Sequence, residues 1–469
     1  MKNIKNKIVV ALLALASLSC SDSFLELEDQ QKVLTTEALL TLGDFNSSIT
    51  GVYNVLSDAD YYGRYFHLIP DVMSDDVKQN SQANRVRNYA EYVATRGDAQ
   101  AEDMWEKMYE ANLSLNVIIN SDVKVDDDDV DDRDHIIGEA YALRGQVYFD
   151  LVRMFAQHYQ FTAGANHLGV PIVLDFDRFS TPARNTVEEV YTQIINDMTK
   201  ALTLMKDTPR SGNKGTLSAT AVKALLARVY LYKGDWTNAE AMATEVIGSG
   251  KYTLVSNANY VSSWATSYSS ESIFEITVTA ADNRGSDALG RMYIVQGYGD
   301  YLPSNDVYSL IPVGDARRGV YKTDSKLAGD FAPFRMNKYP STQGIDNTKV
   351  MRLSEVYLIR AEARAMKAAP DEVGARADVN AIRLRGLPSA TPIASTGQAL
   401  LDDIARERRI ELAFEGQRLW DLMRKKQDVV RIQCTSPICT ITYPNDRFIL
   451  PIPEAEMDAN PKIQPNPGY

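Results

Sequence analysis

The chain is poor in residue types that carry much of protein chemistry: 469 residues hold 4 His, 4 Trp and 3 Cys. His67, His135, His158 and His167 are scattered, and no H-E-x-x-H brings two of them onto one helix face. There is no glycine-rich phosphate loop and no G-x-S-x-G elbow, which excludes the commonest nucleotide and acyl-transfer sites. Carboxylates are plentiful, yet no pair stands out for acid–base work on a glycosidic bond. The chain reads as a binder rather than an enzyme, with no cofactor and no metal implied. Basic residues are also short, 50 against 62 acidic, for a net charge of −12. Such a chain lacks the cationic footprint that nucleic acid requires.

A long apolar run is missing as well. The leading MKNIKNKIVVALLALASLSC carries Lys2, Lys5 and Lys7, then an apolar run from Ile8 to Ala16, too short for a stable membrane span. It reads as a secretion signal over residues 1–19. Small Ser17 and Ser19 before Cys20 suggest a lipoprotein cleavage box, with Leu18 one place later than the usual leucine. Cleavage there removes three of the 50 basic residues, so the net charge moves from −12 to about −15. A lipid on Cys20 attaches a protein to a membrane rather than threading it through. The other cysteines, Cys434 and Cys439 in CTSPIC, have no nearby histidine to complete a zinc site. Outside the cytoplasm they are expected to form a small-loop disulfide.

What is present is helical periodicity. Val222, Leu225, Leu226, Val229 and Tyr230 fall on one helix face. Gly234 ends that helix and Asp235 can cap the next, where Ala239, Met242, Ala243, Val246 and Ile247 repeat the spacing. Two antiparallel helices joined by a tight turn form a tetratricopeptide-type unit of about 34 residues. Ala140, Leu143, Val147, Leu151 and Phe155 predict another helix. Its mate follows Asn185, with Thr186 and Glu189 as a capping box, and an extended insertion holding GVPIVLDF lies between. A further pair is predicted over residues 350–369 and 371–385, and single helices over 101–120 and 406–425. The fold class is therefore mainly α, with helical hairpins stacked as a scaffold. The acidic run VDDDDVDD at 125–132 reads as a solvated loop, because a calcium loop would need a turn glycine that it lacks.

Residues 58–100 and 251–345 do not follow the repeat. They are rich in Tyr, Ser, Gly and Asn, with strand-like ESIFEITVTA, and read as loop-rich insertions in one body spanning 20–469. Binding residues tend to sit on loops held by a rigid scaffold. Trp105, Trp236 and Trp420 fall on apolar helix faces and are expected in the core. Trp264 lies in the loop-rich part and is expected to be free, as are Tyr61, Tyr62, Tyr293, Tyr298 and Tyr301. Exposed aromatic faces stack on sugars. With Asp76, chosen on loop placement, these form the candidate ligand-binding set. The scarcity of tryptophan points away from a long flat glucan.

Several long motifs resemble one family. They include GEAYALRGQVYFDLVRMFAQ, GVPIV with ARNTVEEVYTQIINDM, and TAVKALLARVYLYKGDWTNAEAMATEVI. PSNDVYSLIPVGDARRGVYK, VMRLSEVYLIRAEARA, ERRIELAFEGQRLWDLMR and LPIPEAEMDANPKIQPNPGY follow in order. Together they resemble the SusD/RagB outer-membrane nutrient-binding lipoproteins. One departure is Pro465, where the family tail usually has Gln. The resemblance implies four tetratricopeptide-like pairs with an irregular half draped over them. It implies a lipid anchor on the outer membrane, facing the cell surface, and no catalysis. Its implied partner is a SusC-like TonB-dependent transporter, over which the protein closes as a lid to deliver oligosaccharides or, in some members, peptides. Other readings of the residues are a protein-interaction scaffold without a small ligand and a glycan-cleaving enzyme.

The stretch RRIELAFEGQRLWDLMRK, residues 408–425, crowds charges around a thin apolar stripe. On one helix Arg408 with Glu411, Glu415 with Arg418, and Asp421 with Arg424 are three-apart neighbours. The reading is scaffold: a partly buried network that locks the last helix, with Gly416 permitting close contact. Arg418→Ala is then expected to lower the melting temperature and leave ligand affinity unchanged.

Overall fold

Helices form where an apolar stripe runs between a cap and a stop. Ser218 caps the helix at Ala219–Lys233 by accepting from the Ala221 amide, and Gly234 ends it at φ +81°. Asp235 then accepts from the Asn238 amide and starts the next helix, as the turn chemistry requires. The capping box at Thr186 and Glu189 is also formed. The computed structural model describes residues 39–469, apart from 81–82, 122–123, 176, 178, 295, 325–333, 433 and 435–436. The expected leader and Cys20 lie outside the described residues.

The main helices are α1 (Leu42–Leu56), α2 (Tyr65–Met73), α3 (Ala99–Ile119), α4 (Val130–Phe155), α5 (Val187–Leu204), α6 (Ala219–Lys233), α7 (Trp236–Gly248), α8 (Leu353–Met366), α9 (Glu372–Gly386), α10 (Gly397–Leu412) and α11 (Arg418–Arg424). Four of the packed pairs are α1 with α3, α4 with α5, α6 with α7, and α8 with α9. Each pair packs on the next, and α10 closes the end of the stack against α8 and α9. This is the mainly helical scaffold the periodicity called for. The acidic run differs in part from a plain loop. Its start forms a short turn at Asp127–Asp129, while Asp131 and Asp132 occupy the first turn of α4, where the helix dipole favours carboxylates.

The strands are few, short and antiparallel: β1 (Val77–Gln79) on β3 (Tyr301–Pro303), β2 (Ser272–Ile276) on β6 (Thr348–Arg352), β4 (Tyr321–Thr323) on β5 (Phe334–Met336), and β7 (Val429–Val430) on β8 (Thr440–Ile441). They come from the two loop-rich insertions, from the segment leading into α8 and from the segment after α11. One buried apolar cluster runs from Leu39 to Ile463 through both helices and irregular segments. Loops that carry their own buried side chains are thereby fixed to the repeats.

The stretch 408–425 is not one helix. α10 stops at Leu412 and α11 starts at Arg418, with Phe414 at φ +63° and Gly416 at φ +70° between them. A Cβ at position 416 would lie 2.9 Å from the His67 Cα, so only glycine permits this approach to α2. The break redirects the charges, and two of the three expected pairs are replaced. Arg408 bonds Asp421 at 2.7 Å rather than Glu411, and Arg418 bonds Asp75 at 2.7 Å rather than Glu415. Asp421 and Arg424 do pair, at 2.8 Å. Glu411 instead receives Arg385 at 2.6 Å and Arg352 at 3.0 Å, and Glu415 receives Arg352 and Lys338, both at 2.7 Å. Burial opposes ionisation of Glu411, but Arg385, Arg352 and Arg317 hold its carboxyl well below the usual range. The stretch is scaffold, built mainly from tertiary pairs, with Asp421–Arg424 as a same-helix pair.

Candidate functional site

Most aromatics of the loop-rich part turn inward. Tyr61 and Tyr62 stack at 4.6 Å between ring centroids, and their hydroxyls donate to the buried Asp150 at 2.6 and 2.7 Å. Tyr293 packs edge-on against Phe414, and its hydroxyl donates to Asp71 at 3.3 Å. Tyr301 is buried on β3 and donates to the Arg85 carbonyl. Trp264 was expected to be free but is 3% exposed. Its ring lies beneath Lys338 at 4.5 Å and Arg352 at 4.9 Å, a floor for the ion network. Asp76 is buried too and accepts from Arg409 at 2.6 Å. The expectation of open ring faces is thus corrected for Tyr61, Tyr62, Trp264, Tyr293 and Tyr301. A half with little regular structure must bury its own large side chains, and these rings are that core.

Tyr298 is the exception, with 41% of its surface exposed. It sits just before β3, and the Arg85 guanidinium covers one face at 3.2 Å from the ring centroid. Arg85 is in turn held by Asp300 at 2.9 Å. The turn between them is pinned from below: Arg335 donates to the Gly299 carbonyl at 2.5 Å, and Gly299 sits at φ +56° where a side chain would strike Arg335. A half-open ring on a fixed turn has lost little mobility left to lose, which favours stacking on a ligand.

Beside this ridge the β1–β3 pair forms the wall of a cavity of ≈ 150 Å³. Lys78, Gln79 and Asn80 from β1 and its end line it, with Arg87, Glu91 and Arg431 opposite. Arg87 pairs with Glu91 at 2.8 Å, and Arg431 donates to the carbonyls of Val72, Ser74 and Ala90. Cys434 also lines the cavity and is joined to Cys439 in a disulfide that clasps the β7–β8 hairpin. Asp75, another lining residue, is where the scaffold stretch reaches the site: Arg418 and Arg409 hold it at 2.7 and 3.3 Å.

Sequence reasoning missed Arg85, Lys78, Arg87 and Arg431. A usable signal existed in NRVRNYAEY, where Arg85 and Arg87 alternate inside a Tyr-rich loop. It also missed a wider groove of ≈ 610 Å³ on the helical half, between α3, the segment 171–182 and residues 453–459. Among the described residues no cluster of His, Cys, Asp and Glu is arranged to hold a metal ion. No helix among them is long and apolar enough to cross a membrane.

Comparison with known proteins places this architecture. The SusD family model matches residues 330–469, and a second model, described as starch-binding and associating with the outer membrane, matches residues 23–231. SusD-like protein P2 of Formosa agariphila is 26% identical over 99% of this chain and its own full length. A solved structure from Bacteroides vulgatus, provisionally described as a sugar binding protein, is 30% identical with a TM-score of 0.84, covering 92% of this chain and 99% of its own. A SusD superfamily structure from Bacteroides thetaiotaomicron is 28% identical, also at 0.84, covering 91% of this chain and all of its own. Both halves of the molecule, the stacked hairpins and the irregular part that holds Tyr298, fall within these matches, and the chain belongs to the SusD family.

Proposed function

We propose that this protein is a lipid-anchored binding protein of the outer membrane, on the cell surface. It captures oligosaccharides or polysaccharides and delivers them to a SusC-like TonB-dependent transporter. The observation that carries the reading is the near full-length likeness, at 30% identity, to a protein provisionally described as sugar binding. The Tyr298–Arg85 ridge supports it chemically. An aromatic ring that is partly exposed offers stacking for the apolar face of a pyranose. The leader and Cys20 support the anchor. The role proposed is capture and transfer, without cleavage.

The test is a binding screen on protein starting at Ser21. Affinity gels and calorimetry are run against plant, host and microbial glycans and against peptide pools. Saturable binding to one glycan, weakened in Tyr298→Ala, is the expected result. Binding to peptides alone moves the function to peptide uptake. Mass spectrometry of the native amino terminus checks for a lipid on Cys20.

A further inference from the structure

The cavity beside Tyr298 holds positive charge that a neutral sugar does not use. Arg431 lines it and fastens its wall. Nε donates to the Ser74 carbonyl at 3.0 Å, one terminal nitrogen to the Ala90 carbonyl at 2.5 Å and the other to the Val72 carbonyl at 2.9 Å. A guanidinium has five N–H groups, so one on each terminal nitrogen is left over. All three acceptors are neutral, and the wall therefore holds this charge against dipoles rather than against a carboxylate. Arg87 lines the same cavity, bonds Glu91 through Nε at 2.8 Å, and keeps 47% of its side chain exposed. The two carboxylates of the lining are already met, Glu91 by Arg87 and Asp75 by Arg418 at 2.7 Å and Arg409 at 3.3 Å.

The segment that supplies these groups is held in shape. Val86, between Arg85 and Arg87, sits at φ +40°, a left-handed conformation that a β-branched residue seldom takes. It is buried, and its carbonyl accepts from the amides of Tyr89 and Ala90, both at 3.2 Å. Such strain persists only where the surroundings impose it. Here it puts one arginine on the Tyr298 ring, 3.2 Å from its centroid, and the next at the cavity. At ≈ 150 Å³ the cavity is smaller than the roughly 300–1,000 Å³ of ordinary ligand pockets, a size for one charged group rather than a chain. Guanidinium donors match the oxygens of an anionic group, and charge-assisted bonds of this kind are roughly twice as strong as neutral ones.

We propose that the ligand of this site is an acidic saccharide, with an apolar sugar face on Tyr298 and a carboxylate or sulfate group in the cavity at Arg431 and Arg87. The inference rests on saccharide capture at Tyr298 and names its substrate class.

Acidic and neutral oligosaccharides are compared by calorimetry on protein starting at Ser21, each acidic one beside its own charge-stripped form. Uronic-acid chains are stripped by carboxyl reduction and sulfated galactans by desulfation. An acidic member is expected to bind, and its stripped form to bind about tenfold more weakly. The pair that responds tells carboxylate from sulfate. Arg431→Ala would release three carbonyls at once, so Arg87→Gln is the variant of choice. It is expected to weaken acidic binding about tenfold, while Arg133→Gln, which removes a charge in the first turn of α4, leaves binding unchanged. A bound glycan that is neutral, or an acidic one that binds equally well after stripping, overturns the proposal and leaves saccharide capture intact. Equal weakening by Arg87→Gln and Arg133→Gln overturns it as well. Absence of any glycan binding, with or without binding of acidic peptides, removes saccharide capture itself and this inference with it.

Discussion

Arg352 and Arg85 each stack on an aromatic ring and pair with a carboxylate, yet their surroundings give them opposite roles. Arg352 lies over Trp264 and is shared among Glu271, Glu411 and Glu415, all buried. Arg85 lies over Tyr298 and pairs with Asp300, and the ring keeps 41% of its surface open. In the first region every guanidinium nitrogen of Arg352 is spent on the protein itself. In the second, one ring face is left over. Recognition chemistry is what remains after internal partners are satisfied, so residue type alone does not locate it.

The comparison is broken most severely at Glu411. Glu411→Ala removes the buried carboxylate shared by Arg352, Arg385 and Arg317, leaving Glu271, Glu415, Asp315 and Glu407 to balance them, and is expected to cost about 3–5 kcal/mol, read as a lower midpoint in chemical denaturation. Glycan affinity per folded molecule should not change. A loss under about 1 kcal/mol would mean the network is not the lock described here.

Gly416→Ala attacks the same region through the backbone. A side chain at φ +70° pressed on the His67 Cα is expected to cost about 2–3 kcal/mol. Arg418→Ala bridges the two regions, because Arg418 holds Asp75, which lines the cavity next to Tyr298. It is expected to lower stability by about 2 kcal/mol and, contrary to the sequence-based expectation, to weaken glycan binding a few-fold as well. Unchanged affinity would restore the purely structural role.

Acid provides a further contrast. Burial lowers the pKa of His67 to about 3 from an ordinary 6.5, despite the nearby Glu415. The unfolded chain binds a proton at this residue below about pH 6.5, and the folded chain does not until about pH 3. Stability is therefore full above the higher value and is lost progressively as pH falls between them, by on the order of 1–2 kcal/mol at pH 5. Thermal melts at pH 7 and pH 5 should differ less in His67→Gln than in the natural protein. The smallest effect on folding is expected at the ligand ridge. Tyr298→Ala should move stability by under about 0.5 kcal/mol while weakening glycan binding about tenfold.

The repeats were legible because their information is local. Caps at Thr186 and Asp235, the stop at Gly234 and the apolar stripe of Val222, Leu225 and Val229 act within a few residues of themselves. The expected helix over 406–425 failed for the opposite reason. Its interruption follows from contact with α2, some 350 positions away in sequence, as the closeness of residue 416 to His67 requires. The same distance effect hid the site. Tyr293, Tyr298 and Tyr301 lie within nine positions, and nothing local distinguishes the one left exposed from the two that are buried.

By itself, then, the sequence determined the helical hairpins, the acidic character and the family, since periodicity, capping and ordered motifs are properties of neighbouring residues. Tertiary structure alone decided which rings face solvent, which charges pair, and where a groove opens between α3 and the chain's end. Those outcomes depend on how segments hundreds of residues apart divide a limited set of buried partners, and no local pattern encodes that division.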